Sequence, residues 1–201
     1  MIEIRTVCTG NICRSPLAAV ALQHRLTEWG VASNIRSAGT QGLTSAPMTP
    51  EAQRLAVAAG VPEADAAAHR SRALTEDMLS SPDLILAMTR EHRTRTVSLW
   101  PSAMPRTFTA RELARLSASL DDVDLRSACA GSTPSERLRA IARYVSQHRS
   151  LFPAASPSDD DVIDPYRKDW AVYELSAAQL LPTLAAVERL ARIASEPSSA
   201  V

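Results

Sequence analysis

Lysine is almost missing from this chain: of 22 basic side chains one, Lys168, is a lysine and the rest are arginines. Aromatic residues make up only 4% of the 201 residues, and there are six glycines and three cysteines. Neither sign of charge is in excess, since 22 acidic residues balance the 22 basic ones and the longest like-charged run is Asp159, Asp160 and Asp161. A balanced surface of this kind carries no broad positive field, which argues against nucleic acid or an anionic membrane as the main partner. No apolar run approaches the ~20 residues that span a bilayer, and the chain opens on a strand-like segment rather than a basic and apolar leader. A cytoplasmic location without membrane insertion is therefore expected. Three cysteines, an odd number, do not make a disulfide framework, so each is read as a thiol.

What is present is enough for one sizeable core. With 45% apolar and 22% charged residues, a single domain spanning 1–201 is expected. Strand-length segments, "MIEIRTV", "NIRSA", "DLILAM" at 83–88 and "TVSLW" at 96–100, alternate with helical patterns. Ala18, Leu22, Leu26 and Trp29 fall on one helical face; further helices are expected at 50–59 behind Thr49-Pro50, near 75–80 and at 90–95. The order implies an α/β fold: a four-stranded parallel sheet with helices on both faces, whose ligands sit at the carboxyl ends of the strands. Residues 101–160 show no strand pattern and read as a helical insertion, with a capping box and a helical first proline at "TPSE" (133–136) and an apolar face at Leu113, Leu116 and Leu120. "AASPSDDD" at 154–161 reads as a solvated loop, and the tail from Asp169 to about Ile193 as helix, kinked or split at Pro182.

The densest chemistry lies in "VCTGNICRSP", residues 7–16. Cys8 ends the first strand, and the next helix is expected to begin with Ser15 as cap and Pro16 as its first residue. A loop bridging these points turns successive backbone N–H groups inward beside the positive end of a helix dipole, which makes an anion site. Arg14 at its rim offers a two-pronged fork to a tetrahedral oxyanion. The thiolate is the nucleophilic form of cysteine, and one poised beneath a bound phosphate is aimed at phosphorus. Gly10 is expected to allow a backbone turn that a side chain would obstruct, and Asn11 to take left-handed angles and bond the loop into shape. A nucleotide-binding loop is excluded because no Gly-Lys-Ser/Thr follows. Cys8 and Cys13 have no second ligand pair at zinc spacing, so neither a metal nor an organic cofactor is expected.

The Cys-x5-Arg-Ser loop after an N-terminal strand resembles the low-molecular-weight protein tyrosine phosphatases, in their bacterial form. "CTGNICRSP" is followed in the same order by "SAGT" (37–40), "HRSRALT" (69–75), "DLILAMTREHR" (83–93) and "DPYRKDWAVYE" (164–174), so the likeness covers roughly residues 2–100 and 162–190. The resemblance implies a phosphate-binding loop after strand 1 and hydrolysis of phosphotyrosine on proteins through a cysteinyl-phosphate. Cys8 would attack phosphorus while Arg14 and the amides of Thr9, Gly10, Asn11, Ile12, Cys13 and Arg14 hold the equatorial oxygens. Ser15 would donate to the Cys8 sulfur. Asp164 would protonate the departing tyrosyl oxygen and then serve as base for water. Tyr166 would line the mouth, and His69 would support the loop through Asn11.

Some positions depart from the family pattern. Ala19 stands where many members carry an acidic residue. Leu43 stands where eukaryotic members place an aromatic ring, so ring recognition would rest on apolar contact and Tyr166. Ile12 stands where phosphoarginine-specific members tend to have a small polar residue, which favours phosphotyrosine. Cys13 either fills a small buried space or traps an oxidised Cys8 as a disulfide. Two rivals remain: an arsenate reductase of the same fold, which would have to recruit Cys129 because "AMTREHRTRTV" after the third strand contains no cysteine, and a phosphotyrosine-binding regulator with weak turnover.

Overall fold

A computed structural model gives the fold and describes residues 1–196; the last five residues of the expected 1–201 domain lie outside the described residues. Four parallel strands form one sheet: β1 (Ile2–Cys8), β2 (Ser33–Gly39), β3 (Leu84–Ala87) and β4 (Thr107–Thr109), in the order β2-β1-β3-β4. β1 is paired on both edges, with Cys8 opposite Gly39 and Val7 opposite Ala87. Burial on both sides explains why Leu84–Ala87 is an unbroken apolar run. Alternation splits the strands between two cores: Ile2, Ile4, Leu84 and Leu86 face the larger one, Val7 and Ile85 the smaller.

Helices cover both faces, as the alternating pattern implied. α1 (Arg14–Glu28), α2 (Pro50–Ala58) and α3 (Glu63–Ala68) precede the short α4 (Asp77–Ser80), and α5 (Arg90–Leu99) follows β3. Beyond β4 come α6 (Ala110–Ala118), α7 (Asp122–Ser127), α8 (Pro134–Gln147) and α9 (Trp170–Ser195). Leu22 and Leu26 of α1 share the larger core with Leu113 and Leu116 of α6, Leu138 and Ile141 of α8, and Leu184 and Val187 of α9. The smaller core holds Leu79 of α4 and Ala103 against Val7 and Ile85. Capping boxes start α6 at Thr109/Glu112 and α8 at Thr133/Glu136, with Pro134 first in its helix. Among the described residues no helix is long and apolar enough to cross a membrane.

Several expectations are corrected. "TVSLW" belongs to the end of α5, because the Thr89 side chain caps that helix and carries it through to Leu99, overriding the β preference of Thr96 and Val97. The fourth strand is Thr107–Thr109, within the stretch that read as strandless; three buried residues are too short to show a period. α1 begins at Arg14, with Cys13 in the cap position, because the Ser15 hydroxyl is turned inward. Trp29 lies just past α1, 52% exposed, beneath the Arg192 guanidinium rather than on the apolar face. Pro182 interrupts nothing: α9 runs through it, and both Pro182 and Ala178, whose carbonyl it leaves without a partner, lie on the exposed face. The acidic run at 159–161 is pinned rather than free, Asp160 to Arg115 and Asp161 to Arg90, each at 2.9 Å.

One buried carboxylate fastens α8 across the sheet. Asp83, fully buried at the start of β3, accepts from the Glu3 amide at 2.8 Å, the Ser135 hydroxyl at 2.7 Å and the Arg139 guanidinium at 2.6 Å. Asp83→Ala leaves three donors without their acceptor and is expected to lower unfolding free energy by about 3 kcal/mol. Urea denaturation at neutral pH measures it, and KM of the folded enzyme is expected to stay unchanged.

Candidate active site

The loop between β1 and α1 folds around Asn11. Its backbone is left-handed, at φ 57°, and its side chain is fully buried. Asparagine tolerates this conformation better than other residues with a Cβ. Gly10, by contrast, is not in the left-handed region, and a Cβ there would meet only the Ile12 side chain at 3.4 Å; the sharp turn belongs to Asn11 and does not demand a glycine at position 10. Gly39, opposite Cys8 on β2, cannot carry a side chain, because a Cβ there would overlap the Thr9 carbonyl oxygen, and Gly42 cannot either, because a Cβ there would overlap the Arg72 carbonyl oxygen. Gly39 was not singled out by sequence, because its crowding comes from a different strand.

The Asn11 amide N–H points at Cys8 Sγ at 3.3 Å, and its side-chain amide donates to Ser15 Oγ at 3.0 Å. Ser15 Oγ accepts from Asn11, and its own hydrogen has two acceptors in reach, the Cys8 sulfur at 3.0 Å and, farther off, the Ala38 carbonyl at 3.4 Å. On the outer side, Asn11 Oδ1 accepts from the Arg72 amide at 3.0 Å and the Asn11 carbonyl lies 2.8 Å from His69 Nε2. The carbonyl can only accept, so Nε2 of His69 carries the proton. Burial moves His69 below the ordinary histidine value, and the bond to Asn11 opposes that shift.

Cys8, Thr9, Gly10, Ile12, Cys13 and Arg14 line a cavity of about 240 Å³, completed by Gln41, Leu43, Asp164 and Tyr166. Sequence-distant residues meet here; Asn11 and Ser15 lie beneath the cavity, while His69 braces the far side of the loop. Leu43 and Tyr166 form an exposed, apolar mouth. Arg14 is 4% exposed; one terminal nitrogen pairs with Asp164 at 2.8 Å and the other donates to the Val162 carbonyl at 3.1 Å. Its Nε is buried without a partner, a donor awaiting an acceptor. Asp164 is half-exposed and also accepts from the Tyr166 amide at 3.2 Å. Ala19 lies away from this cavity, beside a depression with Val20, Gln23 and Pro62.

Cys13 is buried against Thr49 at 3.5 Å and the Tyr173 hydroxyl at 3.8 Å, and burial pushes its thiol up. Tyr173, likewise desolvated, is pushed up to about 12. Cys129 sits by the Ile193 carbonyl on α9 and does not line the cavity. Among the described residues no three His, Cys, Asp or Glu side chains converge as metal ligands.

The model of the low molecular weight phosphotyrosine protein phosphatases matches residues 3–113, more than half of the chain. The chain belongs to that family. This phosphatase is 36% identical over 110 residues to a protein-arginine-phosphatase of Bacillus subtilis, covering 55% of this chain and 71% of the relative. It is 39% identical over 106 residues to the low molecular weight protein-tyrosine-phosphatase Etp of Escherichia coli, covering 53% and 67%. Its fold is similar to that of a low molecular weight protein tyrosine phosphatase from T. tengcongensis, with a TM-score of 0.64 at 24% identity over 93% of this chain and 97% of the other. It is a protein phosphatase of this fold.

Two residues of the phosphatase site escaped sequence reasoning. His92, in α5, is 4% exposed with Nε2 at 2.8 Å from Thr9 Oγ1 and Nδ1 at 2.8 Å from Thr89 Oγ1. Asp161 accepts from the Arg90 amide at 2.7 Å and from its guanidinium, while the Val162 amide donates to Met88 at 2.8 Å; together they anchor the segment bearing Asp164. The signal was Thr-x-x-His in "TREHR", a cap with a histidine one turn on, whose partner Thr9 lies 83 positions away.

Burial, then the Arg14 charge, lower His92 from 6.5 to about 4, so it is neutral at pH 7. Between those values the unfolded chain binds a proton that the folded chain refuses, so stability falls as pH drops from 6.5 toward 4. His69 acts in the same direction. Urea unfolding at pH 7 and pH 4.5 is expected to differ by about 2–3 kcal/mol from His92 alone, and His92→Gln is expected to remove that part of the difference.

Proposed function

We propose that the phosphatase hydrolyses phosphotyrosine on proteins through a cysteinyl-phosphate. The observation that carries this is the pairing, in one loop, of a buried Cys8 sulfur with a buried Arg14 whose Nε has no acceptor. A tetrahedral phosphoryl group held there would meet Arg14 and the loop amides with its equatorial oxygens and Sγ along the line opposite its ester oxygen. The Cys8 lone pair forms the S–P bond as the P–O ester bond breaks, and protonated Asp164 gives its proton to the tyrosyl oxygen. Water then attacks phosphorus, Asp164 takes its proton, and the S–P bond breaks to return the thiolate and release phosphate. Ser15, with a hydrogen to offer, steadies the sulfur whenever it is anionic.

Bound phosphate competes for the donors that Asp164 now occupies on Arg14. Substrate would therefore free the carboxyl to turn toward the leaving group. The apolar mouth of Ile12, Leu43 and Tyr166 suits a phenyl ring. On this reading the partners are phosphorylated proteins of a bacterial cytoplasm. A second reading, phosphoarginine on proteins, is favoured by the similarity to a protein-arginine-phosphatase; it uses the same thiol and arginine with a guanidinium leaving group.

With chelator present, wild-type enzyme is expected to hydrolyse p-nitrophenyl phosphate and phosphotyrosine peptides, and Cys8→Ser to hydrolyse neither. Asp164→Asn is expected to lower kcat on phosphotyrosine peptides by about 10²–10⁴-fold, and less on p-nitrophenyl phosphate, whose leaving group needs little protonation. A kcat/KM for phosphoarginine peptides above that for phosphotyrosine peptides would transfer the assignment to the second reading, and absence of both would end it.

A further inference from the structure

The first turn of α5 touches both halves of the site. Arg90 holds Asp161 and so the segment carrying Asp164, while His92 reaches the loop that carries Cys8. Thr9, the residue after Cys8, is gripped from two sides: its hydroxyl by His92 Nε2, its carbonyl by the Gln41 amide at 2.9 Å. The imidazole has no freedom of its own, because Nδ1 is held by Thr89, whose hydroxyl oxygen also accepts from the His92 amide at 3.3 Å. With both ring nitrogens engaged by threonines and 4% of its surface exposed, His92 has no atom left for a substrate. It is placed to act through Thr9.

We propose that His92 is a positioning residue for phosphoryl transfer, its imidazole locking Thr9 and thereby aligning the loop amides on the phosphoryl oxygens. This rests on the loop being the phosphate cradle proposed above. The amides act as a set whose directions must converge on one tetrahedral group, and misplacement of about 1 Å is enough to cost two orders of magnitude in rate. Asn11 fixes the middle of the loop and α1 its end; without His92 the first residue after the nucleophile would keep only its carbonyl bond. The groups facing the ring are Arg14 from α1, Asp161 and Asp164 from the acidic segment and Arg95 from α5 itself. A neutral ring adds no second positive charge beside Arg14, so the field on the anion comes from the arginine and the loop amides.

Two substitutions separate positioning from packing. Asparagine at position 92 presents a polar atom where Nδ1 stood, keeping the bond to Thr89 and losing Thr9; glutamine presents one where Nε2 stood and keeps Thr9. Each variant is checked for an unchanged melting transition at pH 7, then titrated with inorganic phosphate by ³¹P NMR and assayed on p-nitrophenyl phosphate. His92→Asn is expected to weaken phosphate binding and lower kcat/KM each by about tenfold, with His92→Gln restoring most of both. Thr9→Val, which leaves α5 untouched, is expected to match His92→Asn, and the double variant to be no worse than either.

Wild-type phosphate affinity in His92→Asn, equal losses in the Asn and Gln variants, or losses that multiply in the double variant would each overturn the proposal. Phosphate binding needs no turnover. A wild-type protein that binds phosphate and hydrolyses nothing would sink the hydrolase reading, yet the phosphate titrations would still decide the role of His92.

Discussion

Asn11 places every polar group it has inside the protein: its amide on the Cys8 sulfur, its carbonyl on His69, and its side chain between Ser15 and the Arg72 backbone. The left-handed turn that makes these four bonds possible brings the loop back beneath itself and sets the directions of its neighbours. The rest of the site follows from that turn. Were the residue in an ordinary helical or extended conformation, its N–H would leave the sulfur and Ser15 would lose the donor that orients its hydroxyl. Removing the side chain would also take the acceptor from the Arg72 amide.

Arg14 stands at the opposite pole from this closed network. Two of its nitrogens are engaged, by Val162 and Asp164, and one buried nitrogen is not. A fully satisfied guanidinium would have been a structural strut; an incompletely satisfied one, buried against a thiol, keeps a place for an anion. The neutral His92 beside it adds no competing charge at pH 7, so the positive field of the cavity comes from one arginine and the loop dipoles.

The loop was legible because its chemistry is local: thiol, asparagine turn, arginine and helix start all fall within nine residues. Asp164 and His69 were legible only through the family pattern, since nothing in the composition of their own segments distinguishes them from other loop residues. The sheet was legible for three strands: β3 through the apolar run that burial on both sides leaves, β1 through its alternating isoleucines, and the edge strand β2 only as the short stretch "NIRSA". Thr107–Thr109 left none, and Thr96–Trp100, rich in β-formers, joined a helix because a cap upstream decided the matter. His92, Asp161 and Gly39 were not legible, for a common reason. What each does is fixed by an atom on a distant segment: the Thr9 hydroxyl, the Arg90 amide and the Thr9 carbonyl respectively.

Cys8 and Asp164, which share one cavity, stand near opposite ends of the chain, and the bond between Arg14 and Val162 closes a separation of 148 residues. At ~5–20 residues per second of synthesis, the thiol segment leaves the ribosome on the order of ten seconds before its carboxylate partner exists. During that interval β1 can pair with β2, but Arg14 still lacks its partners Val162 and Asp164, and the larger core still lacks α9. The order of manufacture thus makes the site the last part of the molecule to close, its carboxylate and the helix packed behind the loop arriving together.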